Sequence, residues 1–443
     1  MSKIKIIALS PLMVLLLALL IPLSVSAINV QEHVLDNGLK VLILEDHKAP
    51  TATFQIWYRV GSRDEQIGKT GLSHLLEHMM FKGTKEHGPK TFSQAIQRAG
   101  GTDNAFTTGE YTGYFELLAS DRLALPIELE ADRMQNLVLT DESVLSERDV
   151  VMEERRMRYE DDPQNLLHEE VVAAAFKSHP YRWPVIGWMS DLKTLNPADL
   201  RQHYATYYAP NNAVILVVGD VKPDEILAKV RDAFGKIPAG PSTKAVSVSE
   251  AEQYGEKRVV LRKEAELPVV MSAYKVPAIH QEDGPALDVL SNILSGGKST
   301  RIYHALVYEK QLALSAWAGY DGMHRDAYLF YTGATAARGK SIEDVEKALV
   351  TEIEKISKEP PTDHEIQKAK NQIEATFILE QDSFYMQARL IGSFEMIGGW
   401  KLVDTYLEAI RKVTADDVRR VAGKYLVPEK RTTGVLIPLE TKK

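Results

Sequence analysis

Three residues in GLSHLLEHMMF, residues 71–81, have the types and spacing for metal chemistry: His74, Glu77 and His78. On a helix they stand at i, i+3 and i+4, within an arc of about 100°. Leu72, Leu75, Leu76, Met79 and Met80 fall on the other side and predict a face buried against a domain core. Two imidazoles one turn apart reach a single metal ion, and the carboxylate between them reaches a water beside it. Zinc suits such a set, because it takes nitrogen and oxygen ligands and leaves a fourth position for water. It lowers the pKa of that water to about 7, so that Glu77 can take the proton and pass it to a leaving amine. The same spacing also arises on the solvated face of an ordinary amphipathic helix, and this segment alone leaves both readings open.

The composition limits what else could hold a metal. The chain of 443 residues contains no cysteine, which excludes disulfides, thiolate zinc sites, iron–sulfur clusters and cysteine nucleophiles. Any ligand must be His, Asp or Glu. Hydrophobic residues at 44% and charged residues at 26% exclude a disordered, collagenous or multi-span membrane protein. A net charge of −8 argues against a nucleic-acid partner held by phosphate neutralisation.

A third ligand has to come from elsewhere in the chain. SERDVVMEERRMRYEDDP places Glu147 and Glu154 seven residues apart, on one face of a predicted helix, while Glu153 points about 100° away. On local pattern alone, a solvated helix salt-bridged through Arg148, Arg155 and Arg156 is the stronger reading.

The elements that must position these residues come in two similar sets. NPADLRQHYATYYAP, residues 196–210, matches TADDVRRVAGKYLVP, residues 414–428, in constant register. Each reads as a helix with an N-cap, Asn196 or Thr414, and an Asp at the third helical position, followed by an apolar strand. LTDESVLSERDVVMEE, residues 139–154, is echoed by PTDHEIQKAKNQIEAT, residues 361–376. Between the sets, KIPAGPSTKAVSVSEAEQ (residues 236–253) reads as a linker. The expectation is an α+β fold of two tandem similar domains, 28–238 and 257–443, joined by a linker over 239–256. Residues 1–27 are set aside as a signal peptide: Lys3 and Lys5 precede an apolar run from Ile6 to Val25, and Val25-Ser26-Ala27 offers small residues for cleavage. Its removal takes the charge from −8 to −10 and implies export, most simply to a bacterial periplasm. An uncleaved membrane anchor is the competing reading.

At this point the sequence resembles the pitrilysin/insulinase-like zinc peptidases, which include the mitochondrial processing peptidase. HLLEH matches the family's inverted zinc motif, and ERDVVMEE matches its second signature. GGTDNAFTTGEYTGYFE, HPYRWPVIG and the tandem repeat also fit. The resemblance implies Zn2+ held by His74, His78 and Glu154, with Glu77 catalytic and Glu147 supporting. It implies two domains, each a mainly antiparallel sheet packed with helices, enclosing a peptide chamber. It also implies that a peptide substrate pairs with a sheet edge at Asn104, Ala105 and Phe106, a mode that asks little of the peptide's sequence.

The second half departs from this pattern. Asp288, Ser291 and Asn292 stand where the first half has His74, Glu77 and His78, and Thr376 and Ala369 replace Glu154 and Glu147. Active relatives carry an Arg and, seven residues later, a Tyr in this half; the matching positions are Val307 and Leu314, and neither donates a hydrogen bond. A missing donor of this kind costs about 100- to 1000-fold in rate. The resemblance therefore implies the zinc-bearing catalytic subunit of a heterodimer, completed by a similar chain with the Arg–Tyr pair. The alternative is a non-catalytic peptide-binding or assembly subunit. GGKST, residues 296–300, is not a nucleotide-binding loop, because Asn292 occupies a required glycine position and a helix precedes it where a strand is needed.

Overall fold

The computed structural model describes residues 29–439, so the proposed signal segment lies outside the described residues. A six-stranded sheet forms from β1 (Gln31–Val34), β2 (Lys40–Glu45), β3 (Thr51–Tyr58), β4 (Thr102–Thr107), β5 (Thr112–Ala119) and β6 (Ala213–Gly219). Its order is β1-β2-β6-β3-β5-β4. β2 and β6 run parallel, and the other neighbours are antiparallel. Apolar AVILVVG in β6 is buried along its whole length, as expected of a central strand covered on both faces. β4, with TDNAFT, alternates exposed and half-buried residues and forms the free edge.

The second sheet repeats the plan. β7 (Lys257–Lys263), β8 (Val269–Val276), β9 (Ala313–Asp321), β10 (Tyr328–Ala336) and β11 (Arg431–Pro438) lie in the order β7-β11-β8-β10-β9. β7 and β11 are the parallel pair here. Strand for strand this is the first sheet without β1, and the matched helices end in matched caps. Asn196 accepts the N–H groups of Ala198 and Asp199, and Thr414 accepts that of Asp417. No helix or strand occurs in 239–256. The connector is nevertheless tied down, since the Glu250 carboxylate accepts the N–H groups of Lys177, Ser178 and His179 at 2.8–2.9 Å and pairs with Lys275.

One face of each sheet is covered by helices from its own half, and the other by a helix from the opposite half. Leu167, Val171, Val172 and Ala175, on the helix Pro163–Ala175, bury against Val269, Met271, Ala273 and Leu436 of the second sheet. Conversely Phe384, Ala388 and Ile391, on the helix Phe384–Ile397, bury against Leu42, Trp57, Val214 and Leu216 of the first. The approach is close enough to require glycine at both contacts. A Cβ on Gly392 would lie 2.9 Å from the Trp57 ring, and one on Gly434 would clash with Val171. Each half therefore supplies part of the other's core.

Candidate metal centre

The helix Leu72–Met79 is fixed by what surrounds its ends and its apolar face. Gly71 precedes it at φ +93°, where a side chain would be strained, and a Cβ there would lie 2.6 Å from the carbonyl oxygen of Ile186. The Glu65 carboxylate accepts the N–H groups of Gly71 and Ser73, both at 2.7 Å, and so satisfies donors the first turn leaves open. Leu72, Leu75, Leu76, Met79 and Met80 are all buried in the first core, as their spacing predicts. The helix Asp141–Arg155 begins at a Thr140 cap on the Ser143 N–H and continues into a wider turn, Arg156–Glu160.

These two helices bring His74, His78 and Glu154 together, with one ligand atom from each within 4.8 Å of the others. Glu154 Oε2 lies 3.3 Å from His78 Nε2 and 3.9 Å from His74 Nε2. Its other oxygen pairs with Arg158 at 2.9 Å. Behind His78, Nδ1 lies 3.0 Å from Glu147 Oε1, and Lys82 pairs with the second Glu147 oxygen at 2.5 Å. Glu153 points elsewhere and pairs with Arg156 at the surface.

Glu77 projects from the same helix face toward the sheet edge, where Thr107 Oγ1 donates to its Oε2 at 2.5 Å. Thr107 ends β4, so the edge strand and the Glu77 carboxylate are joined directly. Asn104, Ala105 and Phe106 lie on that strand, hydrogen-bonded through β5 on one side only. The Ala105 N–H donates to the Asn104 side-chain oxygen at 2.9 Å, so it faces away from β5 toward the free edge.

The electrostatics follow from burial and neighbours. Burial, and then the nearby His78, push the His74 pKa well down, which keeps that imidazole neutral. Burial opposes charging His78 as well, but its hydrogen bonds to Glu147 and Glu154 outweigh this and push its pKa up to about 9. The His78 hydrogen bond holds the Glu154 carboxyl below its ordinary range. Burial pushes Glu77 up, with the Thr107 hydrogen bond acting against it. A neutral imidazole, a second imidazole in a field that favours positive charge and an ionised carboxylate form a donor set that fits a divalent cation such as zinc.

Among the described residues, the second half has no such set. Asp288 accepts a hydrogen bond from Tyr406, and Val307 packs partly buried against the second core. Leu314 stands 57% exposed on β9. The sequence reading placed Thr107 on the edge strand without its bond to Glu77, and it missed two partners of the site, Lys82 and Arg158, each four residues beyond a candidate ligand. Thr107, thirty residues from Glu77 and on another element, had no local signal.

Among the described residues, this two-sheet fold carries the candidate ligand cluster on one half only. Residues 40–187 match the family described as "Insulinase (Peptidase family M16)", and residues 194–373 match "Peptidase M16 inactive domain". The chain is 32% identical over 409 residues to "Zinc protease PqqE" of Helicobacter pylori, spanning 91% of this chain and 92% of that one. It is 27% identical to "Probable mitochondrial-processing peptidase subunit beta, mitochondrial" of Arabidopsis thaliana, over 94% and 80% of the two chains. The crystal structure of a protease from Helicobacter pylori superposes with a TM-score of 0.89 at 32% identity, covering 92% of this chain and 99% of that one. The chain belongs to the M16, insulinase-like peptidase family.

Proposed function

We propose that this chain is a zinc-dependent endopeptidase acting on short or unfolded peptides, and that it is the catalytic member of a pair with a similar chain. The observation that carries the reading is the convergence of His74, His78 and Glu154 beside a Glu77 held by the edge strand itself. The names of the relatives support the zinc and the peptidase chemistry. The charged start and apolar run of residues 1–27 support export, to a periplasm in a bacterium.

His74, His78 and Glu154 would hold the ion, with Glu147 fixing the His78 ring and Lys82 balancing Glu147. When bound, zinc supplies a Lewis acid that polarises the scissile carbonyl and acidifies water. An extended peptide pairs with the free edge of β4, displacing the Asn104 side chain from the Ala105 N–H. Glu77 takes the proton from the attacking water and delivers it to the leaving nitrogen, and Thr107 aims the carboxylate. Burial raises the Glu77 pKa, which makes the carboxylate a stronger base toward the water and keeps the proton on it until the leaving nitrogen takes it.

The heterodimer rests on Val307 and Leu314, neither of which can donate a hydrogen bond to the developing oxyanion. Co-purification from the source organism, followed by peptide cleavage assays of the chain with and without its partner, tests this. The expected result is a similar-sized partner bearing the Arg–Tyr pair and a rate about 100- to 1000-fold higher in its presence. Full activity of the chain alone, with no such partner, contradicts it.

A further inference from the structure

A cavity of about 440 Å³ lies in the second half, where the repeat places the counterpart of the metal cluster. Its walls include Asp288, Asn292 and Thr376, the residues that stand in for His74, His78 and Glu154. The helices Gly284–Ser295 and Asp363–Glu380 supply them. The second half has lost the ligands and kept the hollow. Ile279, Ile373, Phe377, Leu390 and Phe394 make much of the lining apolar.

Two carboxylates face this apolar space without a cation. Asp288 Oδ2 accepts from the Tyr406 hydroxyl at 2.5 Å, and Oδ1 has no hydrogen-bond partner among the described residues. Glu380 likewise has no ion-pair partner among the described residues. Arg389, the cation of the lining, is engaged elsewhere: it lies 4.5 Å over the Phe106 ring and donates to the Tyr385 hydroxyl at 3.2 Å. An apolar hollow lined by two carboxylates that no cation pairs among the described residues suits one kind of guest, a positive charge carried on an apolar stem.

Two residues of the lining, Arg389 and Ser393, touch residues at and just beyond the peptide edge. Phe106 belongs to β4, and Ser393 of the lining lies 3.2 Å from the hydroxyl of Tyr111, just beyond the turn that follows β4. We propose that this cavity binds an alkylammonium or guanidinium group, and that the group is a basic side chain of a peptide lying along β4. The source of the group rests on the peptidase reading above; the chemistry of the cavity does not.

Calorimetric titration of the full chain with n-hexylamine, n-hexanol and hexanoate tests the chemistry. Hexylamine is expected to bind at one site at least about tenfold more tightly than hexanol, and hexanoate not at all. Asp288→Asn and Glu380→Gln are each expected to weaken hexylamine by about tenfold, and Glu380→Gln serves alone if Asp288→Asn fails to fold. Hexylamine binding no better than hexanol, or unchanged in the folded variants, overturns the proposal. A second arm uses Glu77→Gln protein, which needs no turnover, and compares a lysine-containing unfolded peptide with its norleucine counterpart. Tighter binding of the lysine peptide, competed by hexylamine, supports the peptide source. Equal binding of the two peptides, with hexylamine still held through Asp288, overturns that source in favour of a free amine. The first arm stands whether or not the chain cleaves peptides, so the two readings fail separately.

Discussion

Glu77 concentrates the account's chemistry in one carboxylate whose neighbours have separable roles. Glu77→Gln keeps the shape of the site and removes the proposed proton carrier, so peptide turnover should fall by about 100- to 10,000-fold while zinc content is unchanged. Thr107→Val removes a hydrogen bond that holds the Glu77 pKa down against burial. The acidic limb of the kcat/KM profile should therefore move to higher pH, and a limb that stays in place would show that Thr107 does not tune the carboxylate. Glu147→Gln leaves the three proposed ligands in place and loosens the His78 ring; zinc affinity, read by chelator competition, should drop about 10- to 100-fold. At this scale the sequence was informative wherever partners share a helix. His74, Glu77 and His78 stand out as candidates through their i, i+3, i+4 spacing. Glu154 does not, because nothing local separates a ligand from a surface carboxylate in a run that also holds Glu147 and Glu153; only the resemblance to a family picked it out.

Helices and strands were legible from periodicity and caps, but not the surfaces they cover. The helix Pro163–Ala175, which the sequence analysis does not single out, buries its apolar residues against the second sheet. Phe384–Ile397 makes the reciprocal crossing to the first. Sequence similarity between the halves hides this exchange, since domain bounds drawn along the chain assign each helix to its own half. Gly434 tests it. Its missing side chain lets β11 accept Val171 and Leu167 from the other half. Gly434→Ala should lower stability by about 1–3 kcal/mol in urea unfolding, and a neutral result would mean that the two helices do not seat against the opposite sheets as described.

Across the whole molecule, the halves meet at a charged cluster as well as through the exchanged helices. Arg63 pairs with Glu110 at 2.9 Å and reaches Asp326 of the second half at 2.5 Å. Tyr181 donates to Glu110, and His324, also from the second half, lies 3.4 Å from the same carboxylate. Burial disfavours charge on both groups, yet hydrogen bonds to Asp321 and Glu110 push His324 up to about 9 from 6.5. The hydrogen bond from His324 and the charge of Arg63 bring Glu110 down to about 2 from 4.5. The His324 contribution to stability is complete below pH 6.5 and lost as pH rises through about 9. That of Glu110 is complete above pH 4.5 and lost as pH falls through about 2. The cluster should therefore hold the halves best between pH 4.5 and 6.5. His324→Gln should flatten the decline in melting temperature between pH 6.5 and 9, and parallel wild-type and variant curves would remove this role. None of this cluster was visible in the sequence, because its members are spread from Arg63 to Asp326 and meet only when both sheets are in place.

The central claim, a zinc ion held by His74, His78 and Glu154 and served by Glu77, is tested most directly by cleavage of an unfolded peptide followed by mass spectrometry. Zinc-loaded wild-type and Glu77→Gln chains would be compared with and without chelator, and with the partner chain if one co-purifies. The account predicts one zinc per chain in both proteins, with cleavage by the wild type alone that chelator abolishes and added zinc restores. Equal cleavage by the variant, or a wild-type chain that takes up no zinc, would contradict it.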